Sequence, residues 1–250
     1  MNGAAIFLAL LLAPAVPPPI TAGALVAGLR GRAETADYRM TGRIVRVNAD
    51  GTRRSYNVTV KARWFPGVLR ILVNVTQPAS ARQRILLEMR PGGNSTILVA
   101  RPGDATPRSL PFAQWTEGIL GSDFSYEDLL EPQFFWPGQK LKEETQRGAR
   151  TCEVLESTPG AERSHYAEVR TWLDKSIDFP VYAEKTLKLT GAQKEFTYMG
   201  IRREGGVWSA SQVQVSSRGS AALSLFIIER GSAKANLGAK DFEPDAMARF

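Results

Sequence analysis

The chain has 250 residues, with 32 Lys and Arg against 25 Asp and Glu, and is 43% hydrophobic and 23% charged. That composition belongs to an ordinary globular protein and excludes a disordered chain or one built of apolar membrane spans. The net charge of +7 favours anionic partners; Lys and Arg form no run of five or more, so no nucleic acid is expected among them. Cys152 is the single cysteine, which rules out an intramolecular disulfide and a multi-cysteine metal site. No cofactor and no metal are expected.

At the N-terminus an apolar run from Ala4 to Ala13 is too short to span a bilayer as a helix and fits the apolar region of a secretory signal. Ala13 and Ala15 supply an A-x-A-like site, which places cleavage after Ala15, with a second choice near Ala22. No Lys or Arg precedes the run, which leaves an apolar tail that packs or anchors as the alternative. Residues 1–15 are therefore expected as a cleaved signal peptide, and residues 21–250 as a single domain. No cysteine follows the run to carry a lipid anchor.

From about Thr21 to Ala33 the spacing of Leu25 and Leu29 predicts a helix. The pattern then changes to period two. In "YNVTVKARW" the side chains of Tyr56, Val58, Val60, Ala62 and Trp64 share one face, while Asn57, Thr59, Lys61 and Arg63 share the other. "VLRILVNV" aligns Leu69, Ile71, Val73 and Val75, and "RILLEM" aligns Ile85, Leu87 and Met89. Turn signals such as "NADG", "FPG" and "PGG" separate these runs. Later strands are expected at "YAEVRTWLD", "PVYAEKTLKL", "KEFTYMGIRR", "VWSASQVQVSS" and "AALSLFIIE". About ten or eleven strands in all predict a mainly β, incomplete antiparallel barrel with an N-terminal helix.

The stretch from about Ser109 to Pro137 breaks this rhythm and holds Trp115, Phe124, Tyr126, Phe134, Phe135 and Trp136. It reads as a plug or a lid over one mouth of the barrel. Within it, "GSDFSYEDLLEP" groups four carboxylates, Asp123, Glu127, Asp128 and Glu131. Ser125 followed by Asp128 has the form of a capping box, with Tyr126, Glu127 and Asp128 as the first helical positions and Phe124 and Leu129 as a hydrophobic staple; Pro132 limits the helix. The acids are thus expected to start a short lid helix rather than to catalyse. His165 stands alone without a nucleophile or metal motif, Cys152 reads as a small buried residue, and no enzyme activity is expected.

The order of "ILVARPGDATPRSLPFAQWTEGILGSDFSYEDL", "YAEVRTWLDKSIDFPVYAEKTLKLTGAQKEFTYMGI", "VWSASQVQVSS" and "ANLGAKDFEPDAM" resembles the outer membrane lipoprotein-sorting proteins of the LolA-like superfamily. The resemblance spans most of residues 38 to 248, and "DFSYEDL" is its most specific part. It implies a periplasmic carrier with an incomplete barrel whose apolar concave face is covered by helices. It also implies that the aromatic insertion belongs to the lid. The expected cargo is lipid or lipoprotein acyl chains, held by Trp64, Leu69, Ile71, Trp115, Phe124, Tyr126, Leu129, Phe134, Phe135 and Trp136, with Arg63 as the candidate for the arginine that locks the lid. A monomer is expected, exchanging cargo with an inner-membrane transporter and an outer-membrane acceptor. The alternative reading is an accessory interaction protein of an inner-membrane transporter complex that has a filled core and no cargo of its own.

Overall fold

The computed structural model describes residues 21–204, 206–243 and 246–247; the expected signal segment lies outside them. Helix α1 (Ala22–Ala33) begins at Thr21, whose hydroxyl accepts from the Ala24 amide at 3.2 Å, satisfying one of the first-turn amides. Its buried stripe, Leu25, Val26 and Leu29, packs on Leu155 and Leu173, so the helix is held by tertiary contact rather than by its Gly-containing sequence. No helix among the described residues is long and apolar enough to cross a membrane.

The strands follow in antiparallel order. The first group is β1 (Asp37–Val47), β2 (Arg53–Phe65), β3 (Val68–Gln77), β4 (Gln83–Met89), β5 (Thr96–Ala100) and the two-residue β6 (Arg108–Ser109). After the insertion come β7 (Gly138–Arg147), β8 (Arg150–Thr158), β9 (Tyr166–Asp174), β10 (Phe179–Leu187) and β11 (Gln193–Met199). The chain closes with β12 (Arg202–Glu204), β13 (Val207–Ser209), β14 (Gln212–Ser217) and β15 (Leu223–Ser232). Thirteen of them make one sheet in the order β6-β5-β4-β3-β2-β1-β15-β14-β11-β10-β9-β8-β7, while β12 and β13 pair only with each other. The β1–β15 pair joins the two halves of the chain. The sheet is curled but not closed: β6 and β7 remain its two edges.

The strand count exceeds the expected ten or eleven because β6, β12 and β13 are too short to show a period. "KEFTYMGIRR", read as one strand, breaks at Gly200, whose φ of 60° suits glycine and where a Cβ would strike Ser211. "VWSASQVQVSS" likewise divides into β13 and β14. In β1 the register shifts between Thr41 and Gly42. A side chain at Gly42 would collide with the Ile227 carbonyl, so glycine permits the close approach that this bulge requires.

Curling brings distant strands to one concave core, where Ile85 and Leu87 of β4, Ile97 of β5, Ala183 of β10, Phe196 of β11 and Val215 of β14 belong to one cluster. The opposite, convex face of the first half is also covered. There Leu72, Leu86 and Ala100 are buried under Leu237, Phe242 and Met247 of the C-terminal segment.

Candidate ligand cavity and its lid

The insertion crosses the concave face as four short 3₁₀ turns, Phe112–Gln114, Ile119–Gly121, Glu127–Leu130 and Pro132–Phe135, in place of the single helix expected from Ser125. The reciprocal capping bonds do form: the Ser125 amide donates to Asp128 Oδ2 at 2.9 Å and the Asp128 amide donates to Ser125 Oγ at 3.3 Å. The turn stops because Glu131 is left-handed, with φ 44°, directly before Pro132, a residue whose ring bars its predecessor from the right-handed helical region.

The four carboxylates have further partners that capping does not account for. Asp123 pairs with Arg46 of β1 and accepts from Ser224 Oγ of β15 at 2.8 Å. Glu127 accepts from Ser164 Oγ at 2.5 Å and from the His165 amide at 3.1 Å, and its other oxygen lies 2.8 Å from His165 Nδ1. Asp128, 5% exposed, accepts from Tyr166 Oη at 2.7 Å and from Lys185 Nζ at 3.2 Å, and is paired with Lys194. Glu131 accepts from Tyr198 Oη at 3.1 Å. The acids therefore bind the lid to β1, β15, β11, β10 and β9, which lie within one continuous stretch of the sheet.

Asp128 is the centre of this clamp. Its burial opposes ionisation, but the ammonium groups of Lys194 and Lys185, with hydrogen bonds from Lys194 and Tyr166, overcome that penalty and hold the carboxyl well below the usual carboxylate range. Burial pushes the Tyr166 phenol well above its ordinary value, and the Asp128 charge adds to the effect. Lys185 and Lys194 face each other on β10 and β11 and lie against the Phe196 ring at 4.5 and 5.6 Å. Sequence reasoning missed both lysines because a Lys in an alternating strand ordinarily faces water.

The aromatic residues expected to hold a ligand divide into two sets. Trp115, Phe124 and Tyr126 pack in the concave core, with Leu69 at its margin. Trp136 is buried against Tyr166 and Val169, and Phe134 packs beside α1. Phe135 stacks on Trp64 with ring centroids 5.3 Å apart. Of the ten residues, Ile71, Phe124 and Leu129 line the main cavity, while Trp115, Phe135 and Trp136 border a much smaller pocket of about 40 Å³. Arg63 does not serve as the lid contact. It lies on the convex side, donating to the Leu237 carbonyl and covering the Phe65 ring, because it alternates with the concave Ala62 and Trp64. The arginine that holds the lid from α1 is Arg30, which donates to the Phe134 carbonyl at 2.7 Å and to that of Trp136 at 3.4 Å. His165 stacks on Phe112 at 3.8 Å, and Cys152 is fully buried.

Beside the lid lies a cavity of about 390 Å³, within the range of small-molecule sites. Phe124, Asp128, Leu129 and Glu131 form its lid side. Met40, Ile44, Val58, Val60, Ala62, Ile71 and Val73 form one wall, and Phe179, Phe196, Tyr198, Val213, Phe226 and Ile228 the other. Trp208, on the β12–β13 hairpin, completes it. The first wall is the dry face legible in "YNVTVKARW"; the second also alternates, but nothing in a linear pattern says that strands so far apart in sequence meet. The two acids at the cavity already accept hydrogen bonds from the protein, so the site offers enclosure of apolar surface and no acid–base pair aimed into the space.

A lidded, apolar half-barrel of this topology is the LolA-like fold. Its structural relatives include an outer membrane lipoprotein-sorting protein domain from Vibrio parahaemolyticus, with a TM-score of 0.82 and 18% identity over 92% of this chain and 98% of that one. A DUF1329 family protein from Desulfovibrio piger superposes with a TM-score of 0.82 at 16% identity, over 90% of this chain and 97% of that one. A LolA superfamily protein from Nitrosomonas europaea gives 0.70 at 20% identity, over 91% and 100% of the two chains. No curated protein matches the sequence significantly. The model of a protein family described as "Uncharacterized protein" matches residues 68–249, and the chain belongs to that family.

Proposed function

We propose that this protein is a non-enzymatic periplasmic carrier that takes an acyl chain of a lipid or lipoprotein into the concave cavity and hands it on between membranes. The observation that carries this reading is the apolar cavity itself: Val60, Ile71, Val213, Phe226 and Ile228 face it and remain only partly buried. Each methylene removed from water there contributes about 0.8 kcal/mol, so burial of the chain is what the cavity itself contributes to affinity. The likeness in fold to a lipoprotein-sorting domain supports the same class of cargo. With the lid clamped, exchange would take place on the side of the cavity lined by Trp208 and Phe179, and a membrane partner would act there.

The test is native mass spectrometry of the purified protein after incubation with a lipid extract, compared with Val213→Asp, which puts a charge on the partly exposed cavity wall. The wild type should retain lipid adducts and the variant should lose most of them while keeping its circular dichroism spectrum. A wild-type protein that stays free of lipid in every extract would favour the accessory-scaffold alternative.

A further inference from the structure

The wall of the half-barrel has a gap beside the cavity. β14 pairs with β15 only as far as Gln212 opposite Ile227, and one more bond joins the Ile228 amide to the Ser211 carbonyl at 2.9 Å. Beyond that point β15 runs on to Ser232 against β1 alone, while the chain on its other side has left the sheet for the β12–β13 hairpin. Between the two lies a second cleft, of about 310 Å³. Tyr38, Met40, Ser209, Ala210 and Ile228 line both the cleft and the apolar cavity, so a single layer of side chains separates them.

The chemistry of the two spaces differs. Arg39, Arg202 and Lys234 are exposed along the cleft, and none of the described residues that line it is Asp or Glu. Arg39 reaches Asp241 only at 4.0 Å, with more than half of its side chain exposed, a loose pair that an incoming anion can replace at little cost. The cavity, in contrast, is walled by aliphatic and aromatic side chains, and the acids at its lid side are already hydrogen bonded. Its size also limits the tail: a cavity of about 390 Å³ is near the small end of ligand sites and suits one acyl chain better than two or three.

We propose that cleft and cavity form one joined site for a single-chain acidic amphiphile, with the acyl tail in the cavity and a phosphate or carboxylate head between Arg39 and Lys234. The assignment rests on the carrier reading and narrows it to a ligand class. Two or three charge-assisted hydrogen bonds to the head would fix which end of the ligand enters, and the head would remain near solvent, where a membrane or partner can meet it.

The experiment titrates the purified protein by calorimetry, below micellar concentration, with tetradecanoate, a lysophosphatidylglycerol, a lysophosphatidylcholine and inorganic phosphate. The two anionic amphiphiles should bind at least about tenfold more tightly than the zwitterionic one, the size of effect that one charge-assisted hydrogen bond gives. The R39Q/K234Q variant should lose that preference yet retain binding of lysophosphatidylcholine, which also shows that it is folded. Phosphate alone should give no measurable heat. Equal affinities for anionic and zwitterionic amphiphiles in the wild type would overturn the joined site and leave the carrier reading standing. Failure of every amphiphile to bind would overturn both. Phosphate binding as tightly as the amphiphiles would show an ion site independent of the cavity, and would also overturn it.

Discussion

The two ends of the concave face are built from the same kinds of residue and end in opposite states. Under the lid, Ile85, Leu87 and Ile97 are 0% exposed, sealed by Trp115, Ile119, Phe124 and Leu130 in one packed cluster. On the adjoining β2 and β3 and across the half-barrel, Val60, Ile71, Val213, Phe226 and Ile228 face the open cavity and stay partly exposed. The difference lies in what covers them: of the insertion, Phe124, Asp128, Leu129 and Glu131 border this space, and Trp208 of the hairpin lines it as well. A contiguous apolar surface that the neighbouring residues do not seal is typical of interaction sites, so the closed end carries stability and, in the proposed carrier reading, the open end takes the cargo.

The strongest way to break this comparison is to remove the clamp. Asp128→Ala leaves Lys185 and Lys194 buried without their carboxylate, and loss of one partner of a buried ion pair costs about 3–5 kcal/mol. Denaturant unfolding should show a loss of that size. Asp128→Leu together with Lys185→Met and Lys194→Met should recover part of it, since an apolar replacement of the whole triad avoids the desolvation penalty. A loss below 1 kcal/mol in the single variant would mean that the acids of the lid are incidental to its attachment.

The comparison is sharpened by making the same kind of truncation at each end. Ile85→Ala opens a void in the sealed cluster and should cost about 2–5 kcal/mol. Val60→Ala borders space that is already open and should cost less than about 1 kcal/mol, in line with substitutions that create no new cavity. Lipid uptake should respond in the opposite sense: Val60→Phe, which fills part of the cavity, should reduce adducts in native mass spectrometry with little change in stability, while Ile85→Ala at a temperature where it is folded should retain them.

The fold was largely legible because most of it follows local rules. Thr21 with Leu25 and Leu29 marks the helix, alternation from Tyr56 to Trp64 marks a strand and its faces, and the spacing of turn residues marks an antiparallel meander. The short β12 and β13 were not legible, because three residues cannot display a period and Gly200 breaks the chain only through its φ. The site was read in part. The insertion was recognisable as a lid, yet the residues that anchor it and those that face the cavity were mixed together, since a buried aromatic and a ligand-facing one have the same composition. Lys185 and Lys194 were invisible for a further reason: their partner Asp128 is 57 and 66 positions away, and only strand register brings the three together. Arg63 failed as the lid contact on parity alone, one position off the concave face.

The smallest expected effect concerns pH and the closed end. Tyr166 stays protonated in the folded protein well above its ordinary value because it is buried and beside the Asp128 carboxylate. An unfolded tyrosine releases its proton near 10. The sign follows from proton counting: above about pH 10 the unfolded state binds fewer protons at this position than the folded one, so stability that is fully present below that pH is lost as pH rises. Tyr166→Phe removes the titrating group and one hydrogen bond to Asp128, which should cost roughly 0.5–1.5 kcal/mol near neutral pH and flatten the alkaline fall in melting temperature. A Phe variant whose alkaline profile remains parallel to the wild type would place the titration elsewhere. The open end gives the control: Phe226→Leu leaves the clamp untouched, so in a single cooperative unit its alkaline profile should run parallel to the wild type, and a loss of pH sensitivity there would show that the open end unfolds separately from the closed one.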